Sequence, residues 1–364
     1  MHLGELDTPA VVVDLDVLER NIRRLAEYCR QHQLSLRPHT KTHKIPEIAR
    51  WQIEAGAVGI TVAKVGEAEV MTAAGLDNLL IAYPVIGRSK LERLMALASG
   101  NKMLVALDSA EALDGIALAA HQAGTSLGIL VECDLGMKRC GVQTPEEALR
   151  LANQANSRPG VEFEGILFYP GQVRVPPDLQ PSLLSPVSEK LEHLLDSFHR
   201  AGLPCRIVSG GSTPTAFNSH LIKGMNEIRP GTYVFNDRNT LELGACTLED
   251  CALRVLATVV STAVPNKAII DGGSKTFSSD RLMAGAKEDF GLIVADPGLR
   301  LVGMTEEHGH LDISRSARPL HIGSRLSIIP NHVCTCVNMH NQIYYHRGGE
   351  VQGCWQVAAR GRVS

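Results

Sequence analysis

The chain has no run approaching the ~18–20 consecutive apolar residues that a membrane-crossing helix needs, which argues against a helical span. Its opening residues, Met1-His2-Leu3-Gly4-Glu5-Leu6-Asp7, lack a basic region followed by an apolar one, so no secretory signal is expected. Charge of one sign is nowhere concentrated: 36 basic residues face 39 acidic ones, for a net charge of −3. Nothing in that balance suggests a nucleic-acid footprint or a membrane-surface patch. No fixed-period repeat is visible, which disfavours a repeat scaffold. Nine cysteines are present without the short spacings of a disulfide framework. Cys29, Cys133, Cys140, Cys205 and Cys251 fall in apolar-rich elements and read as reduced thiols. A cytoplasmic enzyme is the expectation.

What is there is an alternation. Strand-like runs at residues 34–39, 58–62, 78–82, 103–107, 127–133, 163–169, 205–209 and 227–229 are separated by helical patterns, among them residues 45–55, 65–74, 109–123, 145–156 and 188–201. Apolar positions in the latter recur at three- and four-residue spacing. Such alternation implies a parallel sheet, and eight units imply a (β/α)8 TIM-type barrel, with an open doubly wound sheet as the alternative. After Asp237 the pattern becomes strand-rich (residues 251–261, 267–271, 325–329, 342–346 and 354–359) without clear helical periodicity. Two domains are therefore expected, residues 1–240 and a mainly β domain of residues 241–364. Residues 8–15 are a candidate strand for the second domain, with Asp14 or Asp16 capping the helix at 16–32.

A barrel gathers its chemistry at the C-terminal ends of its strands. The first strand closes in Arg37-Pro38-His39-Thr40-Lys41-Thr42-His43-Lys44. A lysine here, between two histidines, is placed to hold a carbonyl cofactor as a Schiff base. Burial at the strand tip and neighbouring positive charge would favour its neutral amine. Taken alone, the segment reads better as a solvated basic loop, and it is the rest of the chain that favours the Schiff-base reading. The third strand ends in Tyr83, the fifth runs into Asp134–Gly141, and the sixth ends in Tyr169-Pro170-Gly171-Gln172. Strand seven leads into Ser209-Gly210-Gly211-Ser212-Thr213-Pro214-Thr215, and strand eight into Arg229-Pro230-Gly231-Thr232-Tyr233. Loops after strands seven and eight are the habitual phosphate site of barrels, and glycines let backbone N–H groups approach an anion. Facing a Schiff-base lysine on strand one, they point to pyridoxal 5′-phosphate.

A second constellation lies in Pro330-Asn331-His332-Val333-Cys334-Thr335-Cys336. In an extended chain residues two apart share a face, so His332 and Cys334 would present imidazole nitrogen and thiolate sulfur together, a pair that suits zinc. Cys336 has the same parity and is an alternative thiol, and chance juxtaposition is the competing reading. Glu306-Glu307-His308-Gly309-His310 reads either as a source of a further ligand or orienting group, or as a solvated turn.

With these residues in place, the chain resembles the D-threonine aldolase and D-serine dehydratase family, fold-type-III pyridoxal phosphate enzymes related to the alanine racemase barrel. The likeness runs through Asp7-Thr8-Pro9-Ala10, Arg37–Lys44, Arg139-Cys140-Gly141, Gly211–Pro214, Glu227–Phe235, Asp271–Lys275, Glu307-His308-Gly309 and Pro330–Cys334. The resemblance implies that Lys41 carries the cofactor, that Arg139 lies near its ring, and that Tyr169, Ser209, Gly211, Ser212, Thr213, Gly231 and Thr232 surround it. It implies a divalent metal on His332 and Cys334, zinc where the second ligand is cysteine and manganese or magnesium where it is aspartate. Cys334 thus tilts the expectation toward a D-serine dehydratase-like β-elimination from a D-3-hydroxy amino acid, giving a 2-oxo acid and ammonia. Lys41 is the candidate base for that elimination; retro-aldol cleavage to glycine and an aldehyde is the alternative, with His39, His43 or a water as its candidate base. A racemase and a non-catalytic cofactor carrier are more distant readings. The family also implies a homodimer.

Overall fold

The structure, a computed structural model, describes residues 1–283, 289–296 and 298–364. It divides into two compact units, one of Arg24–Lys41, Pro46–Gly231 and Gly361–Ser364, the other of Met1–Arg23, Thr42–Ile45 and Thr232–Arg360.

The first unit is built on an eight-stranded parallel sheet of Ser35–Leu36, Ile60–Val62, Asn78–Ile81, Lys102–Leu107, Leu127–Glu132, Val161–Leu167, Ile207–Gly210 and Glu227–Ile228. The last strand pairs with the first, Leu36 opposite Ile228. Strands one and two are joined by hydrogen bonds from Val58 N to Leu36 O (2.9 Å) and from Thr61 N to Pro38 O (2.8 Å). The sheet therefore closes on itself, and the open doubly wound alternative falls away. Leu80, Leu104, Ala106, Leu130 and Leu167 form one buried cluster, while their neighbours Leu79, Ile81, Val105 and Val131 are also fully buried. Burial of successive residues is why these strands read as unbroken apolar runs. Each fully buried leucine contributes roughly 1.5–3 kcal/mol.

Helices link the strands, and their ends follow local chemistry. Pro145–Ser157 opens on a Thr144–Glu147 capping box, and Ala110–Ala123 is capped by Ser109 and ends at Gly124 with φ of 63°. The helix expected at 188–201 begins earlier, at Gln180, with Pro186 inside it. Proline removes one helical N–H and crowds the carbonyl four residues before it, and the buried stripe Leu184, Val187, Leu191, Leu194 and Phe198 carries the helix through it. A helix at Arg88–Ala98 completes the alternation.

The second unit holds a nine-stranded sheet. Ala10–Asp14 lies between Leu253–Ser261, to which it is antiparallel, and Gln342–Arg347, to which it is parallel. Val11, Val12 and Val13 are accordingly buried on both faces. Asp14 Oδ1, rather than Asp16, caps the following helix by accepting from Asp16 N at 3.0 Å and Val17 N at 3.3 Å. One expectation fails: Val333–Met339, read as extended, is helical. The turn begins directly after His332, whose own backbone is extended (φ −140°, ψ 113°). Among the described residues no helix is long and apolar enough to cross a membrane.

Candidate cofactor and metal sites

In the barrel unit, Lys41 lies in a short 3-10 turn at Thr40–Thr42, just past the first strand. The turn is pinned on both sides: His39 N donates to Pro230 O at 3.1 Å, and Thr40 Oγ1 donates to Thr61 O at 3.1 Å. His39 Nδ1 accepts from Lys41 N at 3.4 Å, so His39 helps shape the turn. The Lys41 side chain itself is exposed. That corrects the expected burial, because the residue sits beyond the strand tip rather than in it. Lys64 lies over the Tyr83 ring, 3.3 Å from its centroid. In the other unit Lys44 is buried and donates to Asn338 Oδ1 at 2.8 Å. Of these three lysines, Lys41 alone presents an ammonium group with no protein partner among the described residues.

The loops after strands seven and eight bring together Gly211, Ser212, Thr213 and Gly231. Gly211 has φ of +81°, and a Cβ there would come within 3.0 Å of Ile228 Cβ. The Ser212 and Thr215 hydroxyls are 2.9 Å apart. Among the described residues the main-chain N–H groups of Gly211, Ser212, Thr213 and Gly231 donate to no protein acceptor, although Gly211, Ser212 and Gly231 are buried. Buried backbone donors are nearly always satisfied, and several in one glycine-rich turn suit a phosphate. The loops therefore fit the phosphate of pyridoxal 5′-phosphate.

Beneath them is a buried polar network that sequence reasoning did not assemble. Arg37 Nε donates to Glu227 Oε2 at 2.8 Å, Ser209 Oγ donates to Glu227 Oε1 at 2.6 Å, and Arg229 Nη1 donates to Ser209 Oγ at 2.6 Å. Arg229 also donates to Phe168 O at 2.9 Å. Its burial pulls the guanidinium pKa down to about 10, against the opposing effect of Glu227 and Glu132. Ser209, expected at the cofactor, is thus fully buried within this network. The available signal was the presence of Arg37, Glu227 and Arg229 in otherwise apolar strand ends.

Arg139 and Tyr169 do come together, the guanidinium 5.0 Å from the ring centroid. Arg139 also lies 3.6 Å from Glu132 Oε1. The loop carrying it is held by Asp134, whose Oδ1 accepts from Gly136 N at 2.8 Å and Lys138 N at 3.0 Å. A side chain at Gly171 would collide with the Tyr169 ring, its Cβ at 2.2 Å from Cε1.

In the second unit His332 Nδ1 lies 3.0 Å from Asp237 Oδ2, which also accepts from Val333 N at 3.1 Å. Asp237 is fully buried, and its Oδ1 accepts from Thr240 N at 2.9 Å, capping Arg238–Glu242. A carboxylate behind Nδ1 leaves Nε2 as the ring nitrogen that would reach a metal, the arrangement found behind metal-binding histidines. Burial disfavours a charged ring, yet the neighbouring Cys334 and Asp237 side chains outweigh it and lift His332 to about 11. Cys334 Sγ donates to Thr42 Oγ1 at 3.3 Å and lies 3.8 Å from Thr232 Oγ1. Thr42 follows Lys41 in the chain, and Thr232 follows Gly231.

His332 and Cys334 therefore meet through a helix start rather than along a strand. The same helix removes the ambiguity over Cys336, because two residues turn through about 200° in an α-helix. Cys336 is fully buried and donates to Thr276 O at 3.2 Å. His43 is buried too, its Nδ1 accepting from Ile45 N at 3.1 Å, which makes it a poor candidate base. Residues 306–308 form an exposed turn in which Glu307 pairs with Lys275 at 2.8 Å. Asp237, read in the sequence only as the point where the pattern changes, is the carboxylate that lies against His332. Among the described residues no cluster of three or more His, Cys, Asp or Glu is poised for a metal. A two-ligand imidazole and thiol site with a carboxylate behind it fits a borderline-soft ion and leaves positions for other ligands.

Residues 13–239 match the alanine racemase N-terminal domain, and residues 252–346 match the serine dehydratase domain. The chain is 34% identical to the D-threonine aldolase of Arthrobacter sp over 99% of this chain and 94% of that one. It is 36% identical to the D-threo-3-hydroxyaspartate dehydratase of Delftia sp. (strain HT23), over 90% of this chain and 91% of the relative. The crystal structure of D-threonine aldolase from Filomicrobium marinum superposes with a TM-score of 0.91 at 34% identity, covering 100% of this chain and 98% of that one. By fold, by the order of its two domains and by identity along nearly its whole length, the chain belongs to the D-threonine aldolase and D-serine dehydratase family.

Proposed function

We propose that this protein is a pyridoxal phosphate- and metal-dependent lyase that eliminates water from a D-3-hydroxy amino acid, giving a 2-oxo acid and ammonia. The observation that carries the reading is the set of four unsatisfied main-chain donors at Gly211, Ser212, Thr213 and Gly231, in the barrel whose first strand leads to the unpartnered Lys41. When bound, the cofactor supplies an electron sink for charge at Cα, and the metal supplies Lewis acidity at the β-hydroxyl. Lys41 holds the cofactor and, once released, takes the α-proton on Nζ. Arg139 and Tyr169 border the cofactor ring. His332 Nε2 and Cys334 Sγ hold the metal, with zinc preferred for its affinity for thiolate, and Asp237 fixes the histidine tautomer.

Relatives named for both aldolase and dehydratase activity make retro-aldol cleavage the second reading. Cys334 supports elimination over cleavage. A carrier built on the barrel alone has no use for the His332–Cys334–Asp237 arrangement, and a racemase has no use for its metal. We further propose a cytoplasmic homodimer, the location resting on nine free thiols and the dimer on the family. Product analysis with D-serine, D-threonine and D-3-hydroxyaspartate tests the reading. Keto acid plus ammonia supports elimination, glycine plus aldehyde replaces it with the aldolase reading, and turnover of none of them removes both.

A further inference from the structure

The loop after the fifth barrel strand, residues 134–141, has a tightly fixed backbone. Its two ends are joined, Val142 N donating to Glu132 O at 2.9 Å and Asp134 N to Val142 O at 3.0 Å. Asp108, just past the fourth strand, accepts from Gly141 N at 2.8 Å, and Asp134 holds the Gly136 and Lys138 amides. These bonds set the main chain of Arg139 but not its guanidinium. That side chain is half-exposed, and a long, solvated arginine samples many rotamers unless something orients it.

Glu132 is the group placed to do so. It closes the fifth strand, Leu127–Glu132, and is 3% exposed. A carboxylate at that depth needs charged or hydrogen-bonding partners. Two come from the loop, and both approach the same oxygen: Cys140 Sγ donates to Oε1 at 3.0 Å, and Arg139 Nη2 lies 3.6 Å from it. The thiol ties the loop to the carboxylate, and the carboxylate draws the guanidinium toward the strand end. The guanidinium also meets the Tyr169 ring, 5.0 Å from its centroid, a cation–π contact that depends on the cation staying over the ring face. Carboxylate and ring together restrict where Arg139 can rest.

We propose that Glu132 is a positioning residue for Arg139: its buried carboxylate, engaged by the Cys140 thiol, keeps the guanidinium over Tyr169 and so beside the cofactor ring. This deepens the reading of Arg139 as a neighbour of that ring and rests on it. A cation kept beside the ring tunes the cofactor's electronics, whereas one free to swing into water does not. Glu132 acts through Arg139 and not on the cofactor directly.

The test compares the full-length parent, loaded with pyridoxal 5′-phosphate, with Arg139→Ala and Glu132→Gln. The readout is the pH at which the visible band of the holoenzyme titrates. Arg139→Ala should move that midpoint up, because a nearby cation disfavours binding of a proton. Glu132→Gln should move it up as well, by a smaller amount, because the guanidinium is no longer held. Loss of a negative charge acting by itself would move it down, so the sign separates positioning from a direct field effect. If Arg139→Ala leaves the midpoint unchanged, Arg139 is not beside the ring and the proposal falls with that reading. If Arg139→Ala moves it up and Glu132→Gln leaves it unchanged or moves it down, the positioning role is overturned. Should Glu132→Gln not fold, Cys140→Ala takes the thiol from the same carboxylate oxygen and should give a smaller upward shift; no shift there would count against the proposal equally.

The thiol contact has its own measurement on the cofactor-free protein. Trypsin releases Cys140 in a peptide of residues 140–150 that holds no other cysteine. A carboxylate beside a thiol disfavours the thiolate, the form that alkylates. Glu132→Gln should therefore speed alkylation of Cys140 by iodoacetamide several-fold at neutral pH. An unchanged rate would remove the contact on which the positioning of Arg139 stands.

Discussion

Asp237 Oδ2 faces His332 Nδ1 at 3.0 Å across 95 residues of chain, while its other oxygen caps a helix. One carboxylate thus fixes both the start of Arg238–Glu242 and the orientation of an imidazole. Asp237→Asn keeps much of the cap, since asparagine is also a good N-cap, but can offer an amide N–H to Nδ1 and favour the wrong tautomer. Zinc affinity by chelator competition should fall about 10- to 100-fold. Unchanged affinity would remove His332 from the ligand set.

Cys334 and Cys336 should part company on substitution. Cys334→Ala should abolish zinc binding while leaving cofactor content intact, because Lys41 and the phosphate loops belong to the barrel unit. Cys336→Ala empties a fully buried position and should lower stability by about 1–2 kcal/mol with zinc binding retained. Loss of zinc in the second variant alone would reverse the assignment.

Borohydride reduction of the holoenzyme should attach the cofactor to Lys41. Lys44 is engaged by Asn338 and Lys64 by the Tyr83 ring. Peptide mapping that finds the label on either of those lysines would show that the partner-free lysine is not the reactive one. Lys41→Ala should lose the visible absorption of the holoenzyme.

Gly211 occupies a left-handed conformation against Ile228. Valine there meets backbone strain of about 1–2 kcal/mol and displaces the donors of the phosphate loop. Cofactor affinity by equilibrium dialysis should fall about tenfold or more. Gly202, with φ of +67° and open space around its Cβ position, is the control: alanine there should cost stability but not cofactor affinity.

Asp134 has a carboxylate held below its ordinary range. Burial opposes the shift, but bonds from the Lys138, Gly136 and Met137 amides and the Gln143 side chain prevail. Because the folded pKa is the lower one, its stabilisation is present above the unfolded value of about 3.9 and is lost as pH falls through the folded value. Asp134→Asn should therefore be less stable than the parent at pH 7, with the difference shrinking in acid. Urea midpoints at the two pH values check this, and a gap that widens in acid would contradict the sign.

Most of the barrel was legible in the linear chain because its determinants are local. Parallel strands buried on both faces must read as apolar runs, and amphipathic helices must repeat every three to four residues. Lys41 and the Gly211 loop were legible for the same reason, since a strand end and a glycine turn are short-range features. The helix expected at 188–201 starts earlier, at Gln180, because the buried stripe from Leu184 to Phe198 carries it through Pro186. Tertiary structure decided what depends on distant partners. Leu36 and Val58 close the sheet, Glu227 joins Arg37 and, through Ser209, Arg229, and Asp237 meets His332. No periodicity encodes such meetings. A buried charge or imidazole needs a partner wherever the fold can deliver one, so sequence alone determined the elements and the tertiary structure chose which polar groups complete one another.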